Sequence, residues 1–308
     1  MGKCIHAVML LALAVLAACK QVAQEDAATS AAMDANFLAD EAIWREQRAQ
    51  DLRKPDGWTS LVGLHWLELK AHYIGSGTDS GIRLAMGPAK MGMVQQLGGR
   101  VVFTPERDAA LTIDGEPLKG RLELKSDRDS APTAIGFDEG KGVMTLIKRG
   151  DRFALRVKHA DAPTRLGFKG LDYWPADPSW RITGRYAAHP PGKTLPIMDI
   201  TGLVTATPNP GAVEFTRNGE TFRLEALADG DGLFFVFVDR TSGHGSYPAG
   251  RFLDTAAADA NGEVVLDFNH AYNPPCAFTT YATCPLPPPE NRLENLAIEA
   301  GEKTYHLK

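Results

Sequence analysis

The chain has 308 residues, 44% hydrophobic and 23% charged, with a formal net charge of −5. That is ordinary globular composition, enough for one large domain or two modest ones. The mild acidity and the lack of a Lys/Arg run argue against nucleic acid, because phosphate binding needs a basic stripe.

The first residues, MGKCIHAVMLLALAVLAACK, carry Lys3, an apolar run from Ala7 and small residues before Cys19. A membrane-spanning helix needs about 20 apolar residues, so this shorter run reads as a secretory signal. Leu16-Ala17-Ala18-Cys19 resembles the bacterial lipobox, which implies lipidation of Cys19 and a membrane partner reached through that anchor. Lys20 stands where an aspartate would signal inner-membrane retention, so outer-membrane sorting facing the periplasm is expected. Residues 1–18 are then the signal peptide and 19–33 a lipidated tether, small and polar and with little to bury.

A helix is expected over 34–57, with Asp34 as N-cap and Phe37, Leu38, Ile43, Trp44 and Leu52 mostly along one side. Pro55-Asp56-Gly57 ends it. From Trp58 onward the pattern is β: short apolar runs separated by turn signals, with Gly150-Asp151 and Asn218-Gly219 as hairpin turns. The fold class read from this is mainly β, with an N-terminal helix, a small β-sheet domain at 58–130 and a larger β-sandwich or barrel at 131–308, one continuous β domain being the alternative. The C-terminal part of the larger domain is a flap rich in proline and cysteine.

Several motifs fail at named residues. GSGTDSG (75–81) misplaces the third glycine of a dinucleotide fingerprint and leads into a strand rather than a helix. Ser246 lies in GHGSYPAG, with His244 where a nucleophile elbow needs glycine. His270, Cys276 and Cys284 match no common zinc spacing, so no metal and no cofactor are implied. With Cys4 removed with the signal and Cys19 lipidated, Cys276 and Cys284 remain as an even pair in an oxidising compartment, a disulfide by default. The forkhead-associated sandwich is faintly echoed in Tyr73-Ile74-Gly75, Ile82-Arg83-Leu84 and Ile113-Asp114-Gly115-Glu116. Ser76 replaces its basic residue, so phosphothreonine binding is not implied.

Two loops carry candidate ligand groups. DRTSGHGSYPAGRF follows a strand apolar on both faces, hence a rigid base, and offers Asp239, Ser242, His244, Tyr247 and Arg251. Its plain alternative is a turn in which Arg251 pairs with Asp239. DFNHAYNPPCAFTTYATCPLPPPENRL places Asp267 and Asn269 opposite Val264, Leu266 and Phe268 by the strand period. It then offers Tyr272, Asn273, Glu290, Asn291 and Arg292. Its six prolines remove backbone donors and rule out a central strand, leaving an extended flap over the surface or a pocket mouth.

GLHWL (63–67), IKRGDRFALRVK (147–158), TSGHGSYPAGRFL (241–253), the flap and IEAGEKTYH (298–306) together resemble domain-of-unknown-function family 1684. The likeness runs from about Trp44 to the C-terminus. It implies bacterial or archaeal origin and a shared fold, and transfers no substrate, cofactor or catalytic residue. The expectation is an envelope lipoprotein that binds a small molecule or glycan-type ligand between the 239–251 loop and the 267–292 flap. The alternatives are a hydrolase using Asp267 and Glu290, or Cys276 with His270 as base, and a protein-interaction module of the envelope.

Overall fold

The computed structural model describes residues 33–306, so the signal, Cys19 and most of the tether lie outside the described residues. The chain divides after Gln47 into two units. The described part of the first, 33–47, is wholly helical, and the same helix, α1 (33–53), continues into the second. Asp34 is already helical and is not its N-cap. The expected apolar stripe also needs correction: Leu38 is 53% and Ile43 69% exposed, whereas Leu52 is 1% exposed. At about 100° per residue, positions 37, 44 and 52 share an arc of about 80°, and 38 and 43 fall outside it.

The second unit is built from strands. They are β1 (Leu61–Trp66), β2 (Ala71–Gly75), β3 (Ile82–Arg83), β4 (Gly92–Leu97), β5 (Arg100–Pro105), β6 (Thr112–Ile113), β7 (Glu116–Pro117) and β8 (Leu122–Leu124). Then come β9 (Ala134–Phe137), β10 (Gly142–Arg149), β11 (Arg152–His159), the short helix α2 (Pro163–Leu166) and β12 (Arg181–Ala188). The chain continues through β13 (Thr194–Met198), β14 (Val204–Pro208), β15 (Gly211–Arg217), β16 (Glu220–Asp229), β17 (Gly232–Asp239), β18 (Arg251–Ala256), β19 (Glu263–Asp267) and β20 (Arg292–Leu293).

Two sheets, β3-β2-β4-β5-β8 and β1-β11-β10-β9-β6-β7, form the first half. They share one apolar core that includes Ile74, Val94, Phe103, Ile135, Leu146 and Leu155. The second sheet pairs strands from both sides of the boundary expected at residue 130, so SDRDSAPTAIG is a turn-rich link inside this half. Its polar composition signals a turn, and a turn between paired strands looks the same in sequence as a linker.

The second half is the sheet β18-β17-β16-β15-β12-β19, nearly closed into a barrel. Val213, Phe215, Leu224, Phe235, Phe237 and Leu266 belong to its core, with Trp180 and Phe268 packed against it. The Asn218-Gly219 hairpin forms as expected between β15 and β16, with Asn218 at φ 53 and Gly219 at φ 80, the mirror-image turn that matches strand twist. β17 is apolar on both faces, as read: Phe235 and Phe237 join the barrel core, while Val236 joins a separate cluster with Leu195, Ile197, Phe252 and Cys284. The flap therefore seals the outer face of the strand that carries the candidate loop.

Candidate functional site

The 239–251 loop is held by a buried ion pair. Arg251 Nη2 donates to Asp239 Oδ2 at 2.8 Å, and both side chains are 0% exposed. Asp239 Oδ1 accepts from Thr241 N and Thr241 Oγ1, each at 2.7 Å, and from Ile298 N at 3.1 Å. Arg251 also donates to the carbonyls of Ile298 and Ala300. A buried guanidinium and carboxylate each need several partners, and here Thr241 and the C-terminal segment supply most of them, with Arg251 Nε left without one among the described residues. Ser246 is 0% exposed, accepts from Trp174 Nε1 and donates to Thr241 Oγ1, whose own proton goes to Asp239, so its hydroxyl is a structural tie. Gly245 has φ +119, and a Cβ there would lie 2.6 Å from the Trp174 ring, so this close approach requires glycine. Tyr247 is half-buried and donates to Cys276 O at 3.2 Å, joining loop to flap. Burial pushes its phenol up.

The flap groups are spent in the same way. β19 stops at Asp267, and residues 268–270 form a 3-10 turn that Asp267 caps by accepting from Asn269 N at 3.1 Å. Asn269 is thus not on a strand face. Its amide clamps Asp177, accepting from Asp177 N at 3.0 Å and donating to Asp177 O at 2.9 Å. Asn273 N donates to Glu302 Oε2 at 2.7 Å, while Arg48 Nε donates to Glu302 Oε1 at 2.8 Å and Arg48 Nη2 to Asn273 O at 3.0 Å. Arg48 also lies 4.6 Å from the ring centre of Tyr272, whose hydroxyl donates to Asp254 Oδ2 at 2.8 Å. Burial, with the Asp254 carboxylate beside it, drives the Tyr272 phenol far above its ordinary value. Burial likewise raises the Asp254 carboxyl.

Asn291 is the most telling case. It is 1% exposed and inserts its amide between β16 and β17, accepting from Glu225 N at 2.7 Å and donating to Glu225 O at 2.9 Å and Val236 O at 3.0 Å. The two strands pair only at their turn end, from Leu227↔Phe234 to Asp229↔Gly232, so the asparagine side chain replaces a ladder segment that the strands do not make. Cys276 and Cys284 form the expected disulfide. That removes both thiolates from the His270, Cys276, Cys284 set and the nucleophile from the cysteine-hydrolase reading. Glu290 and Arg292 are exposed.

Of the sequence candidates, the structure brings Asp239, Ser242, His244 and Arg292 to one cavity. β20 pairs parallel with the end of β17, matching Val238 with Arg292 and Asp239 with Leu293, and this lays residues 292–299 beside 238–244. Between them opens a cleft of about 690 Å³, lined among others by Arg240, Ser242, His244, Arg292, Glu294 and Glu299. Its groups are of mixed sign and sit on a floor fixed by the buried Asp239–Arg251 pair. Arg240, Glu294 and Glu299 were missed in the sequence, where they look like ordinary surface charges. Arg48, Asp254 and Glu302 were also missed. The only sequence trace of Glu302 is the IEAGEKTYH segment.

A model of the family described as "Protein of unknown function (DUF1684)" matches residues 166–303. An uncharacterized protein of Haloarcula marismortui, solved by solution NMR, is 33% identical over 46% of this chain and 79% of its own, with a TM-score of 0.38. The N-terminal FHA domain of EssC, a component of the bacterial Type VII secretion apparatus, is 13% identical over 32% of this chain and 46% of its own, with a TM-score of 0.25. No curated protein matches the chain.

Proposed function

We propose that this chain, a member of the DUF1684 family of proteins of unknown function, is an envelope lipoprotein, a reading supported by its lipobox-like Leu16-Ala17-Ala18-Cys19, and that it binds a small polar ligand in the cleft between residues 238–244 and 292–299. The observation that carries this reading is the cleft itself. At about 690 Å³ it has the size of ordinary ligand sites, and it presents cations, carboxylates, an imidazole and a hydroxyl from two segments. The mixed signs suit a ligand with both donor and acceptor groups, such as a polyhydroxylated or zwitterionic molecule. The anchor is Cys19, which tethers the domain at the outer membrane facing the periplasm.

A hydrolase reading finds little support in these groups. Asp267 caps a turn, Glu290 is exposed, and Cys276 is bonded to Cys284. Mass spectrometry of small molecules released from the gently purified protein tests binding. A polar compound carried by the wild type and absent from Ala297→Trp, which fills the cleft, is the expected result. Equal loading of both proteins, or none in the wild type, refutes the reading. Replacing Cys19 with Ser is expected to release the protein from the membrane fraction, and retention there refutes the anchor.

A further inference from the structure

We propose that a second cavity, beneath the disulfide loop, is a binding site for apolar amino acids in their zwitterionic form. It has a volume of about 370 Å³ and is formed where β10, the β13–β14 hairpin, the barrel and the flap meet. Leu227, Phe234 and Ile197 give it an apolar wall. The ring of Phe234 is fixed edge-on against Phe252, with centroids 4.9 Å apart at 80°. The polar rim carries Arg128, Arg149, Asp199 and Thr283.

The charges on this rim are arranged and only partly spent. Arg149 gives Nη1 to Asp127 Oδ2 at 2.6 Å and to Lys148 O at 2.8 Å, and Nε to Thr283 Oγ1 at 3.0 Å. A guanidinium has five N–H donors, so the Nη2 pair is left without a partner among the described residues. Arg128 makes no ion pair among the described residues. Asp199 commits Oδ1 to Thr201 N, Thr201 Oγ1 and Leu203 N, at 2.8, 2.6 and 3.2 Å, and its Oδ2 has no partner among them.

Two arginines against Asp127 and Asp199 leave the rim close to neutral. A multiply charged anion therefore gains little, whereas a molecule with one carboxylate and one ammonium meets an unspent partner for each. The guanidinium fork suits the carboxylate, Asp199 Oδ2 suits the ammonium, and the apolar wall suits the side chain. The disulfide loop holds this arrangement. Ile200 N donates to Cys284 O at 3.0 Å and Leu286 N to Met198 O at 2.8 Å, so the segment after Cys284 extends the hairpin that bears Asp199.

The test is calorimetric titration of the mature protein with L-phenylalanine and L-leucine, each compared with its deaminated and decarboxylated analogue. Saturable binding of the amino acids is expected, with each analogue weaker by about tenfold or more, since each loses one charge-assisted contact. Arg128→Gln and Asp199→Asn are expected to weaken binding by a similar factor. Both positions are accessible, and the asparagine keeps the acceptor of the Thr201 turn. Thr205→Trp, at an exposed position on the cavity wall, is expected to abolish binding, and Arg292→Gln in the other cleft to leave it unchanged. Absence of saturable binding, analogues that bind as well as the amino acids, or lining variants that bind like wild type would each overturn the proposal.

Discussion

Removing the carboxylate of Asp239 is expected to destabilise the protein more than any other single surface-loop change. In the folded chain this side chain is 0% exposed and neutralises an equally buried Arg251 at 2.8 Å, while its other oxygen takes three donors. Asp239→Ala leaves a buried guanidinium without its counter-charge and strands the N–H groups of Thr241 and Ile298. Breaking a buried pair from one side costs about 3–5 kcal/mol, mostly the penalty of the uncompensated charge. Urea unfolding followed by tryptophan fluorescence measures it, with Trp174 close to the loop through its bond to Ser246. The double variant Asp239→Leu with Arg251→Met removes both charges and is expected to be more stable than Asp239→Ala alone. A loss below about 1 kcal/mol for the single variant, the range of a solvated surface pair, refutes the reasoning.

The remaining expectations concern the flap. Replacing Cys276 and Cys284 with Ser reopens a nine-residue loop and is expected to cost about 2.6 kcal/mol by the loop-entropy relation, and peptide mapping without reductant should recover the two cysteines as one linked peptide. Asn291→Ala removes three buried hydrogen bonds between β16 and β17 and is expected to cost about 3 kcal/mol in the same unfolding assay, whereas a change at exposed Glu290 is expected to cost little. Folding raises the Tyr272 phenol, chiefly by burial, so the folded state resists its ionisation. The stabilising contribution is therefore complete below the unfolded value near pH 10 and is lost as pH rises above it. Stability of the wild type is expected to fall more steeply than that of Tyr272→Phe between about pH 9 and 11, and equal slopes contradict this.

Much of the architecture was legible because strand periodicity and turn chemistry are local. Asn218-Gly219 declared its hairpin, and the run in β17 declared burial on both faces. The boundary near residue 130 was not legible, because which strands pair across a polar turn depends on partners distant in the chain. The helix stripe was drawn too wide: Leu38 and Ile43 lie outside the arc that Phe37, Trp44 and Leu52 share, and both are exposed.

The candidate site shows a different limit. Asp239 and Arg251 were read as either a pair or ligand groups, and burial decides for the pair. Asn269, Asn273 and Asn291 looked like ligand amides, yet Asn269 and Asn291 spend their side chains on distant backbone segments and Asn273 gives its Nδ2 to Lys303 O at 2.8 Å. An asparagine that mends a sheet and one that holds a ligand have the same letter. The Arg240–Glu299 cleft was hidden for the opposite reason: its charges come together only because β20 runs parallel to β17.

The most direct test of the proposed binding role is a crystal structure of the protein purified without denaturation from its native source, examined at the cleft between Arg240 and Arg292. The expected result is a bound polar molecule contacting at least one of Arg240, His244, Arg292 and Glu294. A cleft filled only with disordered solvent at full occupancy of the protein would contradict it.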